Sequence, residues 1–196
     1  MVLGTSNFIR KGEKMRKFFA ITAIGKDRTG IVAGVSKVLF DLGVNIEDSS
    51  MTILRSEFAM ILIISTKKGV DASDFETHFE KLGNRLGLFI SVKEIDEEEI
   101  CPKKPYSGTP FIISVIGTDK PGIVFRVAEL LSSRKINITN LTTKVVPGEK
   151  TPVYTMLIEV DIPEYVDMTL LEQEFSVLEK EMVIDIGIKE VDVLEL

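Results

Sequence analysis

One cysteine, one histidine and no tryptophan occur in the 196 residues. Cys101 has no intrachain partner for a disulfide, and with His78 as the lone imidazole a Cys/His zinc site is excluded. Both lie away from the loops described below, so histidine or cysteine catalysis is not expected. The lone thiol suits a reducing compartment, and the expectation is a cytoplasmic protein. No apolar run approaches a membrane span, and the N-terminus has no apolar segment of signal-peptide type. Positive charge is scarce: 24 Lys and Arg face 30 Asp and Glu, a net charge of -6. A chain without a basic face is a poor nucleic-acid binder, because phosphate contacts need one. The single basic cluster, Arg10-Lys11, Lys14 and Arg16-Lys17, precedes the first core pattern and reads as a solvated leader over residues 1–16. Phosphate-binding P-loops, dinucleotide glycine fingerprints and esterase elbows are missing too. The acidic run Asp96-Glu97-Glu98-Glu99 reads as a spacer, not a metal site. The expectation is a protein that is not an enzyme and carries no cofactor or metal.

What is present is a repeat. Shifted by 92 positions, Phe19-Ala-Ile-Thr-Ala-Ile-Gly25 falls on Phe111-Ile-Ile-Ser-Val-Ile-Gly117. Asp27, Gly30 and Ile31 fall on Asp119, Gly122 and Ile123, and Asn45-Ile46 falls on Asn137-Ile138. Further on the shift becomes 96, pairing Phe58 with Tyr154 and Phe79 with Phe175. The difference places extra residues in Pro147-Gly148-Glu149-Lys150, a turn sequence.

Each copy has the same element order. Apolar runs at 18–24 and 111–117 predict strands. Ile31, Val35, Val38, Leu39 and Leu42 recur at helical spacing, as do Ile123, Val127, Leu130 and Leu131. The second strands start at Gly43 and Lys135. Their apolar phase flips from even positions (Val44, Ile46) to odd ones (Met51, Ile53), and again from Ile138 to Leu141 and Val145. A flip shared by both copies predicts a β-bulge. Third strands follow at 57–65 and 152–161. Second helices carry Phe75, Phe79, Leu82 and Leu86, against Leu171, Phe175, Leu178 and Met182. Last strands start at Leu88 and Ile184. The fold class is α+β: two ferredoxin-like βαββαβ domains in tandem, each an antiparallel sheet with two helices on one face. The expected domains span residues 17–97 and 110–193, with a linker at 98–109.

The informative stretches are Gly25-Lys-Asp-Arg-Thr-Gly-Ile31 and Gly117-Thr-Asp-Lys-Pro-Gly-Ile123. Gly30 and Gly122 put bare N–H groups at a helix start, where partial positive charge holds a carboxylate. Asp27 or Asp119 then accepts from an ammonium group. Asn45 and Asn137, at the start of what is expected to be the adjacent strand, offer an amide donor and acceptor together. A free amino acid needs these recognitions side by side. Each residue also has a structural use: Asp27 as a cap or Asx turn, the glycines in turn geometry, Asn45 in fixing the bulge.

At these residues the chain resembles the ACT domain family of amino-acid-sensing modules. The likeness rests on the two loops, the helices after them, and Gly43-Val-Asn-Ile46 with Lys135-Ile-Asn-Ile138, and covers about residues 17–193. A freestanding ACT pair without a catalytic domain looks like the glycine cleavage system transcriptional repressor group. The resemblance implies a small amino acid, of glycine or serine class, held at ACT–ACT interfaces by Gly25, Asp27, Gly30, Ile31 and Asn45, and by Gly117, Asp119, Gly122, Ile123 and Asn137. It also implies a homodimer, and action through a protein partner such as a DNA-binding regulator. Thr29 departs from the proline that Pro121 keeps. Other readings are a regulatory subunit of an amino-acid biosynthetic enzyme and a ligand-free interaction module.

Overall fold

A computed structural model describes residues 16–66, 70–96, 100, 108–148 and 152–191. Most of the leader, part of the linker and Glu149-Lys150 of the hairpin turn lie outside the described residues. The chain divides into Met1–Lys103 and Lys104–Leu196.

In the first unit, β1 (Lys17–Lys26) alternates Phe19, Ile21 and Ala23 into the core. Helix α1 (Ile31–Asp41) turns Ile31, Val35 and Leu39 onto that face. Then come β2 (Asn45–Leu54) and β3 (Glu57–Thr66). Helix α2 (Ala72–Leu86) starts with a capping box, in which Asp71 and Asp74 each bond the other's backbone N–H. It ends on Gly87 in the left-handed conformation, at φ 67°. Strand β4 (Leu88–Ile95) closes the unit. The sheet order is β2-β3-β1-β4, all antiparallel, so β1 is central and β2 and β4 are the edges. The core gathers Phe19, Phe58, Phe75 and Phe79 with Ile21, Leu39, Leu62 and Ile64. Burying each aromatic ring contributes on the order of 1.5–3 kcal/mol.

The second unit repeats this order. Its elements are β5 (Gly108–Thr118), α3 (Ile123–Ser133), β6 (Asn137–Val146), β7 (Val153–Pro163), α4 (Met168–Met182) and β8 (Ile184–Glu190). The sheet order is β6-β7-β5-β8. Its core has fewer aromatic rings: Ile113, Val115, Ile158 and Leu171 surround Phe175.

The bulge expected from the phase flip is present in both copies. The β2–β3 register shifts between Ile46 and Asp48, and the β6–β7 register between Ile138 and Asn140. The extra residues of the second copy fall between Val146 and Val153, where the first copy has a two-residue turn at Arg55-Ser56. Strand β5 starts at Gly108, inside the stretch read as linker, because Gly108 and Thr109 pair with Pro163 and Ile162.

Candidate functional site

The two glycine–aspartate loops stand at one end of their sheets. Gly25 still belongs to β1, opposite Phe58 on one side and Leu88 on the other. A Cβ at Gly25 would sit 2.6 Å from the Gly87 carbonyl oxygen, and one at Gly117 would sit 2.7 Å from Ile184 Cγ2. These glycines admit the start of the protein's own edge strand. Gly30 and Gly122 differ: they cap α1 and α3 at φ 92° and 97°, and a Cβ there would meet open space. Only their backbone conformation demands glycine.

Neither cap carries a side-chain hydrogen bond, so Asp27 is not the helix cap its sequence position allowed. Its side chain is exposed, while its N–H donates to the Ser56 carbonyl at 2.8 Å and ties the loop to the β2–β3 turn. Asp119 is exposed as well. Each loop thus offers the donors of an open helix start beside an exposed carboxylate, and the first residue of each helix, Ile31 or Ile123, is buried in the core. Such a start favours an anion. Beneath the second loop Tyr154, opposite Gly117, replaces Phe58. Burial, then the nearby Asp119 charge, raise its phenol pKa. Lys120 donates from Nζ to the Met182 carbonyl at 3.3 Å, anchoring this loop to the C-terminal turn of α4.

The strand-two asparagines do not join the loops of their own units. The expectation that Asn45 starts the strand beside β1 is corrected: β3 lies between them. Asn45 is opposite Ser65, which is opposite Phe18, whereas the loop leaves β1 beyond Gly25. That separation is roughly 23 Å along the strand. Helix α1 runs from the loop end to the asparagine end, so the two motifs mark its opposite termini. Asn137 stands likewise opposite Asp161, at the far end from Gly117.

Sequence reasoning missed what surrounds Asn45. Its Nδ2–H donates to Glu47 Oε1 at 2.9 Å, and the Ser65 hydroxyl donates to the same oxygen. These bonds, Ser65 first, hold the Glu47 carboxyl below its usual pKa range. A cavity of about 400 Å³ opens here, lined by Arg16, Gly43, Val44, Asn45, Glu47 and the buried pair Ser65 and Thr66. The second copy has Thr139 and Asp161 at the places of Glu47 and Ser65. A comparison of the copies past the shared Asn-Ile would have shown this divergence.

His78 is exposed on α2, its Nδ1–H donating to the Asp74 carbonyl at 2.7 Å. Among the described residues no three His, Cys, Asp or Glu side chains gather to hold a metal, and no helix is long and apolar enough to cross a membrane.

Comparison with known proteins agrees with this architecture. Models of the ACT domain match residues 17–93 and 111–169. A UPF0237 protein of Streptococcus mutans is 41 % identical over 73 residues, 37 % of this chain and 83 % of the relative. The glycine cleavage system transcriptional repressor of Escherichia coli is 28 % identical over 163 residues, 82 % of this chain and 83 % of the relative. A crystal structure of a protein of unknown function from Galdieria sulphuraria superposes with a TM-score of 0.75 at 26 % identity, covering 91 % of this chain and all of that one. The chain belongs to the ACT domain family, with two such domains in tandem.

Proposed function

We propose that this chain is a non-catalytic regulator that senses a small amino acid, of glycine or serine class, and acts through a protein partner of DNA-binding type. The observation that carries the reading is the pair of open helix starts at Gly30 and Gly122, each beside an exposed aspartate, repeated in both units. The α-carboxylate takes the N–H groups of the first helical turn, and Asp27 or Asp119 takes the ammonium group. The likeness to the repressor supports the regulatory role, and the acidic net charge supports action through another protein. Asn45 and Asn137 lie too far from the loops of their own units to touch the same ligand. They contribute when a homodimer brings the asparagine of one copy to the loop of another. Ligand binding then shifts how the copies pack, and the linkage reaches the partner.

Isothermal calorimetry of the full chain against the twenty amino acids tests this. Saturable heat with glycine or serine, weakened about tenfold or more by Asp27→Ala with Asp119→Ala, is expected because each loses a charge-assisted contact. No heat from any amino acid sinks the sensing role. The ligand-free interaction module is favoured at one place: the Asn45 amide is already engaged by Glu47.

A further inference from the structure

The two units finish equivalent edge strands differently. In the second, the Glu179 carboxylate on α4 accepts a hydrogen bond from the Ile186 N–H of β8 at 2.7 Å. Ile186 lies opposite Val115 of β5, and its N–H goes to Glu179 instead of to that neighbour. Glu179 therefore closes a backbone donor that an edge otherwise offers to another strand. In the first unit Ile90 of β4 holds the equivalent place, opposite Ala23. The residue equivalent to Glu179 is Gly83, which has no side chain to reach the strand. Gly83 is buried, and a Cβ there would lie 2.7 Å from the Leu88 carbonyl oxygen, so α2 sits against the start of β4. Beyond that contact a groove of about 450 Å³ runs between α2 and β4. Glu76, Glu80 and Asn84 line its helix side, and Ile90 and Val92 its strand side.

The lining selects an occupant. Glu76 and Glu80 are exposed and one helical turn apart. Phe89, 72 % exposed, lies between Leu88 and Ile90, which pack on the core, and so stands on the sheet face away from the helices. A strand added to β4 alternates its side chains, one set toward the acids and the other toward Phe89. A second copy of β4 would bring its own glutamates into the same region, so like charge disfavours self-pairing. We propose that the β4 edge of the first unit docks an extended, basic segment of a partner protein as a fifth strand, with lysine or arginine over Glu76 and Glu80 and apolar or threonine residues against Phe89. This needs neither loop and stands whether or not an amino acid binds.

The test uses the full chain, isotope-labelled, and an octapeptide of alternating lysine and threonine. In the free protein the Ile90 amide is expected to exchange about tenfold or more faster than the Ile186 amide, because Glu179 covers the latter alone. Saturating peptide is expected to slow Ile90 about tenfold and leave Ile186 unchanged. Glu76→Lys with Glu80→Lys is expected to weaken the peptide about tenfold or more, and Glu76→Gln with Glu80→Gln to weaken it less. Equal protection of Ile90 and Ile186 in the free protein would overturn the proposal, because the edge would already be covered. So would peptide binding without protection at Ile90, no peptide binding, or unchanged affinity in the charge-reversed variant.

Discussion

The amide of Asn45 and the carboxylate of Glu47 are joined across the bulge of β2, at 2.9 Å. The Ser65 hydroxyl on β3 completes the arrangement by donating to the same oxygen. The bulge gives Glu47 no partner in the β2–β3 register, and its side chain is fastened from both sides. Asn45 therefore has a local task whatever it does for a ligand.

Glu47 titrates accordingly. Its folded pKa is lowered, first by Ser65 and then by Asn45. The resulting stability is present above the unfolded glutamate pKa, about 4.3, and is lost as pH falls through the lower folded value. The effect is small because the group is exposed and screened. Carboxyl carbon shifts followed by NMR should place the Glu47 midpoint below that of an ordinary glutamate. Ser65→Ala should raise it more than Asn45→Ala.

Gly25→Ala should destabilise the first unit by on the order of 2 kcal/mol, because the new Cβ would lie 2.6 Å from the rigid Gly87 carbonyl. Gly30→Ala meets no neighbour but must hold φ near 92°, at a cost of about 1–2 kcal/mol. Urea denaturation of the two variants checks the order.

Phe75 is fully buried, its ring centroid 5.1 Å from that of Phe19 and 6.4 Å from that of Phe79. Phe75→Ala should cost about 3–5 kcal/mol, through lost burial and the cavity left between α2 and β1. The same denaturation experiment reads it, and a loss under about 1 kcal/mol would show that the cluster repacks.

Arg126 on α3 reaches Glu181 on α4 at 2.7 Å and Glu129 on its own helix at 3.1 Å. Its pKa is raised, chiefly by the Glu181 hydrogen bond. Arg126→Gln should lower the thermal midpoint at low salt. The difference from the parent chain should shrink as the ionic strength approaches about 1 M, because exposed pairs are screened.

The helix faces were legible because apolar residues recur at helical spacing, and Phe75, Phe79 and Leu82 do line the core. The bulge was legible because strand side chains alternate faces, so an inserted residue reverses the phase visibly. The open helix starts could be anticipated from Gly30 and Gly122. The ends of β4 and β8 were not read in this way: Gly83 and Glu179 align in the repeat, but that exchange acquires meaning only beside Ile90 and Ile186.

By itself the sequence determined the duplication, the order of elements and the residues that build each core, since these follow from periodicity and local backbone preference. Strand order, and with it the place of every site residue, belonged to the tertiary structure. Asn45 follows the Gly25–Ile31 loop by a single helix, yet that helix carries the chain to the opposite end of the sheet, and β3 takes the place beside β1. Which strands pair depends on contacts between residues far apart in the chain, and local patterns do not record them.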